Sequence, residues 1–128
     1  MSEKIQQKDN SQRLQDTLDE LIARNPHILI ALVVSDEGLN VGSGLPHHDD
    51  DSLALIASDL VDAAQKFSHR LDQGLVDRIL LEGEQRTTII MKSGARTVLA
   101  VVTPADVKLG LITLSMRQAA DQIEAIFK

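Results

Sequence analysis

Residues Ile28 to Val34 form an unbroken apolar run of seven, rich in β-branched side chains. A strand with one face in water alternates apolar and polar residues; a run without alternation reads as a strand covered on both faces. It is too short to cross a bilayer, which takes about 20 apolar residues. A second run of the same kind, Val98 to Val102, lies far along the chain. Two such strands belong at the centre of one sheet, side by side, so the chain must supply covering layers on both sides of that sheet.

The rest of the sequence supplies those layers. Residues 1–10 read as a polar arm, with Ser11 as N-cap of a first helix striped by Leu14, Leu18, Leu21 and Ile22. Asn25-Pro26 ends it. After the strand at Ile28–Val34, Asp36-Glu37-Gly38 reads as a turn. Leu39–Ser43 reads as a shorter strand whose Gly42 suits a sheet edge. Ser52 is the expected cap of a middle helix, Leu53–Leu71, stopped by Asp72-Gln73-Gly74. Strands follow at Val76–Glu82, Arg86–Met91 and Arg96–Thr103, joined by hairpin-length turns and closed by Pro104. A last helix begins near 107–111, with Ile112, Met116, Ala119, Ala120, Ile123, Ile126 and Phe127 on one stripe.

The expected fold is therefore α/β of the α+β kind, in the order α-β-β-α-β-β-β-α. Hairpin adjacency and the two doubly covered strands give a five-stranded antiparallel sheet of strand order 2-1-5-4-3, with helices on both faces. A length of 128 residues suits one domain, residues 11–128. Such a chain buries about two-thirds of its unfolded surface without staples.

Composition narrows the function. With no cysteine, the chain offers no disulfide, thiolate metal site or thiol nucleophile. Thirteen Lys+Arg against nineteen Asp+Glu leave a net charge of −6, the wrong sign for a nucleic-acid footprint. Two Phe with no Tyr or Trp make a poor base-stacking platform. The polar N-terminus lacks a signal-peptide pattern, so the expectation is a cytoplasmic protein without membrane insertion.

The middle helix carries more apolar surface than a sheet needs. At about 100° per residue, its apolar residues from Leu53 to Leu71 span about half the circumference, against about 100° for a helix lying on its own domain. The extra width reads either as contact with a partner, as in an isologous dimer, or as a deep groove within the domain. The third strand is apolar at Val76, Ile79, Leu80 and Leu81 and is placed at a sheet edge, where pairing with another chain removes an aggregation hazard. Asp77, Arg78 and Glu82 could instead keep that edge single.

Motifs for chemistry are sparse. His47-His48-Asp49-Asp50-Asp51 is rich in ligands, but it lacks oxygen donors at the later calcium-loop positions, where Leu53 and Leu60 stand. It reads as a solvated loop whose aspartates favour a helix N-terminus. Gly42-Ser43-Gly44 matches neither phosphate-binding pattern. No carboxylate pair falls on an interior face, so no catalytic residue, cofactor site or metal site is expected. An enzyme would have to rest on the His47–Asp51 cluster alone.

One family brings these features together. The Leu14…Leu18…Leu21 helix, the run Ile30-Ala31-Leu32-Val33-Val34-Ser35-Asp36-Glu37-Gly38-Leu39, the Ala57…Leu60…Ala64 helix, Gly74 to Glu82 and Lys108-Leu109-Gly110-Leu111 resemble the Roadblock, dynein light-chain type domain, especially its prokaryotic members. The resemblance covers about residues 11–128. It implies a profilin/roadblock-like fold and a non-enzymatic, homodimeric scaffold or regulator of a small Ras-like GTPase, in some members a GTPase activator. The dimer could instead pair with a related Roadblock chain. By that resemblance the middle helices pack together and the third strands pair. The expected dimer interface is Leu53, Ala57, Leu60, Ala64, Phe67, Val76, Arg78 and Leu80. The polar side of the middle helix, Asp59, Asp62, Lys66 and Arg70, is the expected partner surface. The alternative is a small-molecule sensor of PAS-like architecture, which needs polar groups converging on an apolar cavity.

Overall fold

The elements follow the predicted order. The computed structural model describes residues 9–128. It contains helix α1 (Asn10–Arg24), strands β1 (Ile30–Ser35) and β2 (Asn40–Ser43), helix α2 (Asp50–Arg70), strands β3 (Arg78–Glu82), β4 (Arg86–Lys92) and β5 (Thr97–Pro104), and helix α3 (Leu109–Ile126). The strands form one antiparallel sheet of order β2-β1-β5-β4-β3. The proposed arm, residues 1–10, falls mostly outside the described residues.

The two apolar runs sit where their composition requires. Ala31 and Val33 of β1 and Leu99 and Val101 of β5 point into one core, packed by α1 and α3. Ile30, Leu32 and Val34 of β1, with Ala100 of β5, point into a second core under α2. Each strand therefore has apolar neighbours on both faces, the physical condition for an unalternating run. Pairing of Leu32 with Ala100 and of Val33 with Leu99 locks the two strands in register.

Several local boundaries differ from the sequence reading: β3 starts at Arg78 rather than Val76, and β5 runs on through Pro104, which pairs with Arg86. The cap of α1 is Asp9, whose side chain accepts from Gln12 N at 2.8 Å, so the helix starts ahead of Ser11. Helix α2 starts at Asp50 and ends at Arg70; Ser52 lies inside its first turn. Beyond Leu71, Asp72 takes a φ of 56° and Gly74 a φ of 88°, while Ser68 Oγ donates to Gly74 O at 2.6 Å, which fixes the exit toward β3.

Gly42 has a packing role that the edge reading did not contain. A Cβ built there would lie 2.5 Å from Leu14 Cδ2, so the buried Leu14 side chain of α1 occupies the space that a larger residue would need. On the same face, α3 is tied to the chain before β3 by the Arg117–Asp77 ion pair.

Candidate functional site

Helix α2 lies against the sheet through its smallest residues. Ala54, Ala57 and Ser68 are buried, and Leu53, Leu60, Val61 and Ala64 are half-buried. Small side chains bring a helix axis close to a sheet, so this stripe sets the docking of α2. The larger apolar residues point away: Ile56 is 55% exposed and Phe67 65%, and Ala63 between them is also exposed. These three recur at spacings of seven and four, one side of the helix. Leu71, just past the helix end, is exposed as well.

Of the expected interface residues on α2, Phe67 is the one that is freely exposed. Leu53, Leu60 and Ala64 are partly available, and Ala57 is consumed by the protein's own core. Ile56 and Ala63 were absent from that set, although they fall on the same apolar arc. The wheel gave the width of the arc but not which half meets the sheet. The signal that separates the halves is size, with alanines inward and Ile56 and Phe67 outward.

Strand β3 forms the sheet edge beside β4, and both faces of it are apolar. Arg78 pairs with Met91 and Leu80 with Ile89, so these two residues lie on the α1/α3 side. Ile79 pairs with Ile90, placing it and Leu81 on the α2 side. Of the expected residues Val76, Arg78 and Leu80, the strand's alternation thus puts Arg78 and Leu80 on the face opposite α2, while Val76 precedes the strand. Leu80 and Leu81 are 45% and 43% exposed. The outer backbone of β3 has no strand partner within the sheet. Asp59, Asp62, Lys66 and Arg70 are all exposed on α2.

The loop before α2 is more ordered than the sequence implied. Asp50 is buried rather than solvated: its Oδ2 accepts from Ser43 Oγ and from His47 N, both at 2.9 Å. Its Oδ1 meets no donor among the described residues. The adjacent histidines stack with ring centroids 4.3 Å apart. Donor atoms of His47, His48 and Asp49 lie within 4.8 Å of one another, all on exposed residues. Asp49 N donates to His47 Nδ1 at 3.1 Å, so a metal at that nitrogen would have to break this bond. The geometry is that of a hydrogen-bonded turn leading into a helix.

Comparison with known proteins decides the family. The sequence model of the Roadblock/LC7 domain matches residues 14–103, well over half of the chain. The chain belongs to the Roadblock/LC7 domain family. An uncharacterized protein of Methanocaldococcus jannaschii is 36% identical to this Roadblock/LC7 chain over 98 residues, 76% of this chain and 85% of the relative. The Myxococcus xanthus MglB structure matches with a TM-score of 0.86 at 21% identity, covering 94% of this chain and 92% of that one. A Roadblock/LC7 domain from Streptomyces avermitilis matches with a TM-score of 0.82 at 23% identity, covering 88% and 96%. Acanthamoeba castellanii profilin IA shares the fold more distantly, with a TM-score of 0.62 at 12% identity, covering 89% and 98%. Among the described residues no helix is long and apolar enough to cross a membrane.

Proposed function

We propose that this Roadblock/LC7 chain is a cytoplasmic, non-enzymatic homodimer that scaffolds or regulates a small Ras-like GTPase. The carrying observation is the outward apolar side of α2, Ile56, Ala63 and Phe67, on a protein whose sheet also ends in β3, an edge strand carrying Ile79, Leu80 and Leu81 with its outer side unpaired. Exposed large apolar residues grouped along one helix mark an interaction surface. In this reading residues 11–128 act as one domain, two α2 helices meet along this side, and the β3 edges pair into one continuous sheet. The interface includes Leu53, Leu60, Ala64, Phe67, Val76, Arg78 and Leu80, now with Ile56 and Ala63, and Ala57 supports it from beneath. The GTPase partner rests on the family resemblance. It would meet the dimer at Asp59, Asp62, Lys66 and Arg70, with GTPase activation as one outcome of docking.

Two measurements test this. Sedimentation equilibrium at micromolar protein should return twice the monomer mass, falling to the monomer for Phe67→Asp; a wild-type monomer would sink the assembly. Titration of a purified Ras-like GTPase from the same organism, loaded with GDP or a GTP analogue, should show saturable binding weakened by Arg70→Glu. Absence of binding in both nucleotide states would refute the regulatory part while leaving the dimer standing.

A further inference from the structure

On the side of α2 away from Ile56 and Phe67, a cleft of about 140 Å³ opens between the helix and one end of the sheet. Its floor is apolar: Val34, Ile79, Ile90 and Val98 from four strands and Val61 from α2. Its rim is charged. Lys92 stands opposite Val98 on the α2-facing side of β4, and Arg96 lies in the β4–β5 turn. Asp62 on α2 and Asp36 in the β1–β2 turn face the same opening. Backbone bonds hold these walls in place, with Asp36 N donating to Arg96 O at 2.8 Å and Lys92 N to Asp77 O at 3.0 Å.

Lys92, Arg96, Asp36 and Asp62 share one cleft with a third cation, Arg78 of β3, yet among the described residues none of the five forms an ion pair. The third acid lining the cleft, Asp77, is taken up by Arg117 of α3. Exposed opposite charges gain little by pairing directly across water. A ligand that carries both signs can meet both sets at once and cover the apolar floor. An apolar cavity of about 150 Å³ accommodates a benzene-sized body. An apolar floor with a few convergent polar groups is the make-up of a small-ligand site.

We propose that this cleft binds a small zwitterion with an apolar side chain, an amino acid of about leucine size. Its carboxylate meets Lys92 and Arg96, its ammonium meets Asp62 and Asp36, and its side chain lies on Val61, Ile79 and Ile90. Asp62 also belongs to the surface proposed for the GTPase, and Val76 and Arg78, which line the cleft, to the proposed dimer interface, so the site is tested on the chain without a GTPase.

Isothermal titration calorimetry of the full chain with four probes tests it. L-leucine should bind saturably. 4-Methylpentanoate lacks the ammonium, 3-methylbutylamine lacks the carboxylate, and glycine lacks the apolar body. Each should bind at least about tenfold more weakly, the scale of one lost charge-assisted hydrogen bond or a buried side chain. Lys92→Gln and Asp62→Asn should each weaken leucine about tenfold, with unchanged far-ultraviolet circular dichroism. No saturable heat with leucine at millimolar concentration would overturn the proposal. So would equal binding of all four probes, or folded variants that bind leucine as wild type does.

Discussion

On one face of the sheet, α1 and α3 together bury Leu14, Leu18, Leu21, Ile112, Met116 and Ile123 against β1, β4 and β5. On the other, α2 alone buries Ala54 and Ala57 and leaves Leu53, Leu60, Val61, Ile79 and Val102 half-covered. The strands contribute the same kinds of residue to both faces, so the difference lies in the helices. Two helices with large side chains inward close a core. One helix with alanines inward and Ile56 and Phe67 outward leaves a core that is only partly covered. The closed face holds the protein together, and the open face is free to carry function. Substitutions on the two faces should therefore separate into those that unfold the chain and those that change what it binds.

The largest effect belongs to the closed face. Leu18 is fully buried between α1 and the sheet, and Leu18→Ala removes its transfer energy and leaves a cavity. The expected loss is about 2–5 kcal/mol in urea unfolding. A loss below about 1 kcal/mol would mean that this face is not the tight one. Gly42→Ala comes next. Its new Cβ would press on Leu14 Cδ2 at 2.5 Å, so the buried Leu14 side chain has to move. Overpacking of this kind costs about 1–3 kcal/mol. Asp9→Ala removes the bond to Gln12 N at the exposed start of α1 and should cost about 1 kcal/mol, read by the same unfolding curve.

How much of this was legible beforehand differs between the faces. Element order, strand order and the two-sided covering followed from two apolar runs and the hairpin-length turns, because a strand without alternation has only one kind of place in a sheet. The closed core followed as well, since Ile112, Met116, Ala119, Ala120, Ile123 and Ile126 on α3 are all buried, whereas Phe127, read on the same stripe, caps the helix and is exposed. The candidate site was read at lower resolution. Arg78 and Leu80 were grouped with α2, whereas Ile79 and Leu81 share its face, since one residue of register moves a strand's side chains to the opposite side. Asp50 looked solvated because nothing local reveals that the β2–α2 loop folds back to bring Ser43 Oγ and His47 N onto it. Gly42 likewise owes its identity to Leu14, which lies 28 positions earlier in the chain.

The smallest effect on folding should come with the largest effect on assembly. Phe67 is 65% exposed, so in the single chain its ring contributes little to the core beneath α2. Phe67→Asp should shift monomer stability by only about 0.5 kcal/mol, as surface changes do. A dimer of ordinary size buries about 1,600 Å², and a buried aromatic is its usual anchor. An unpaired carboxylate in its place would have to be desolvated twice in an isologous contact, once from each protomer. The measured mass should therefore halve while the urea curve, taken at a dilution where wild type is also monomeric, hardly moves. If Phe67→Asp destabilised that dilute monomer as much as Leu18→Ala does, α2 would be closing its own core. The contrast between the two faces would then fail.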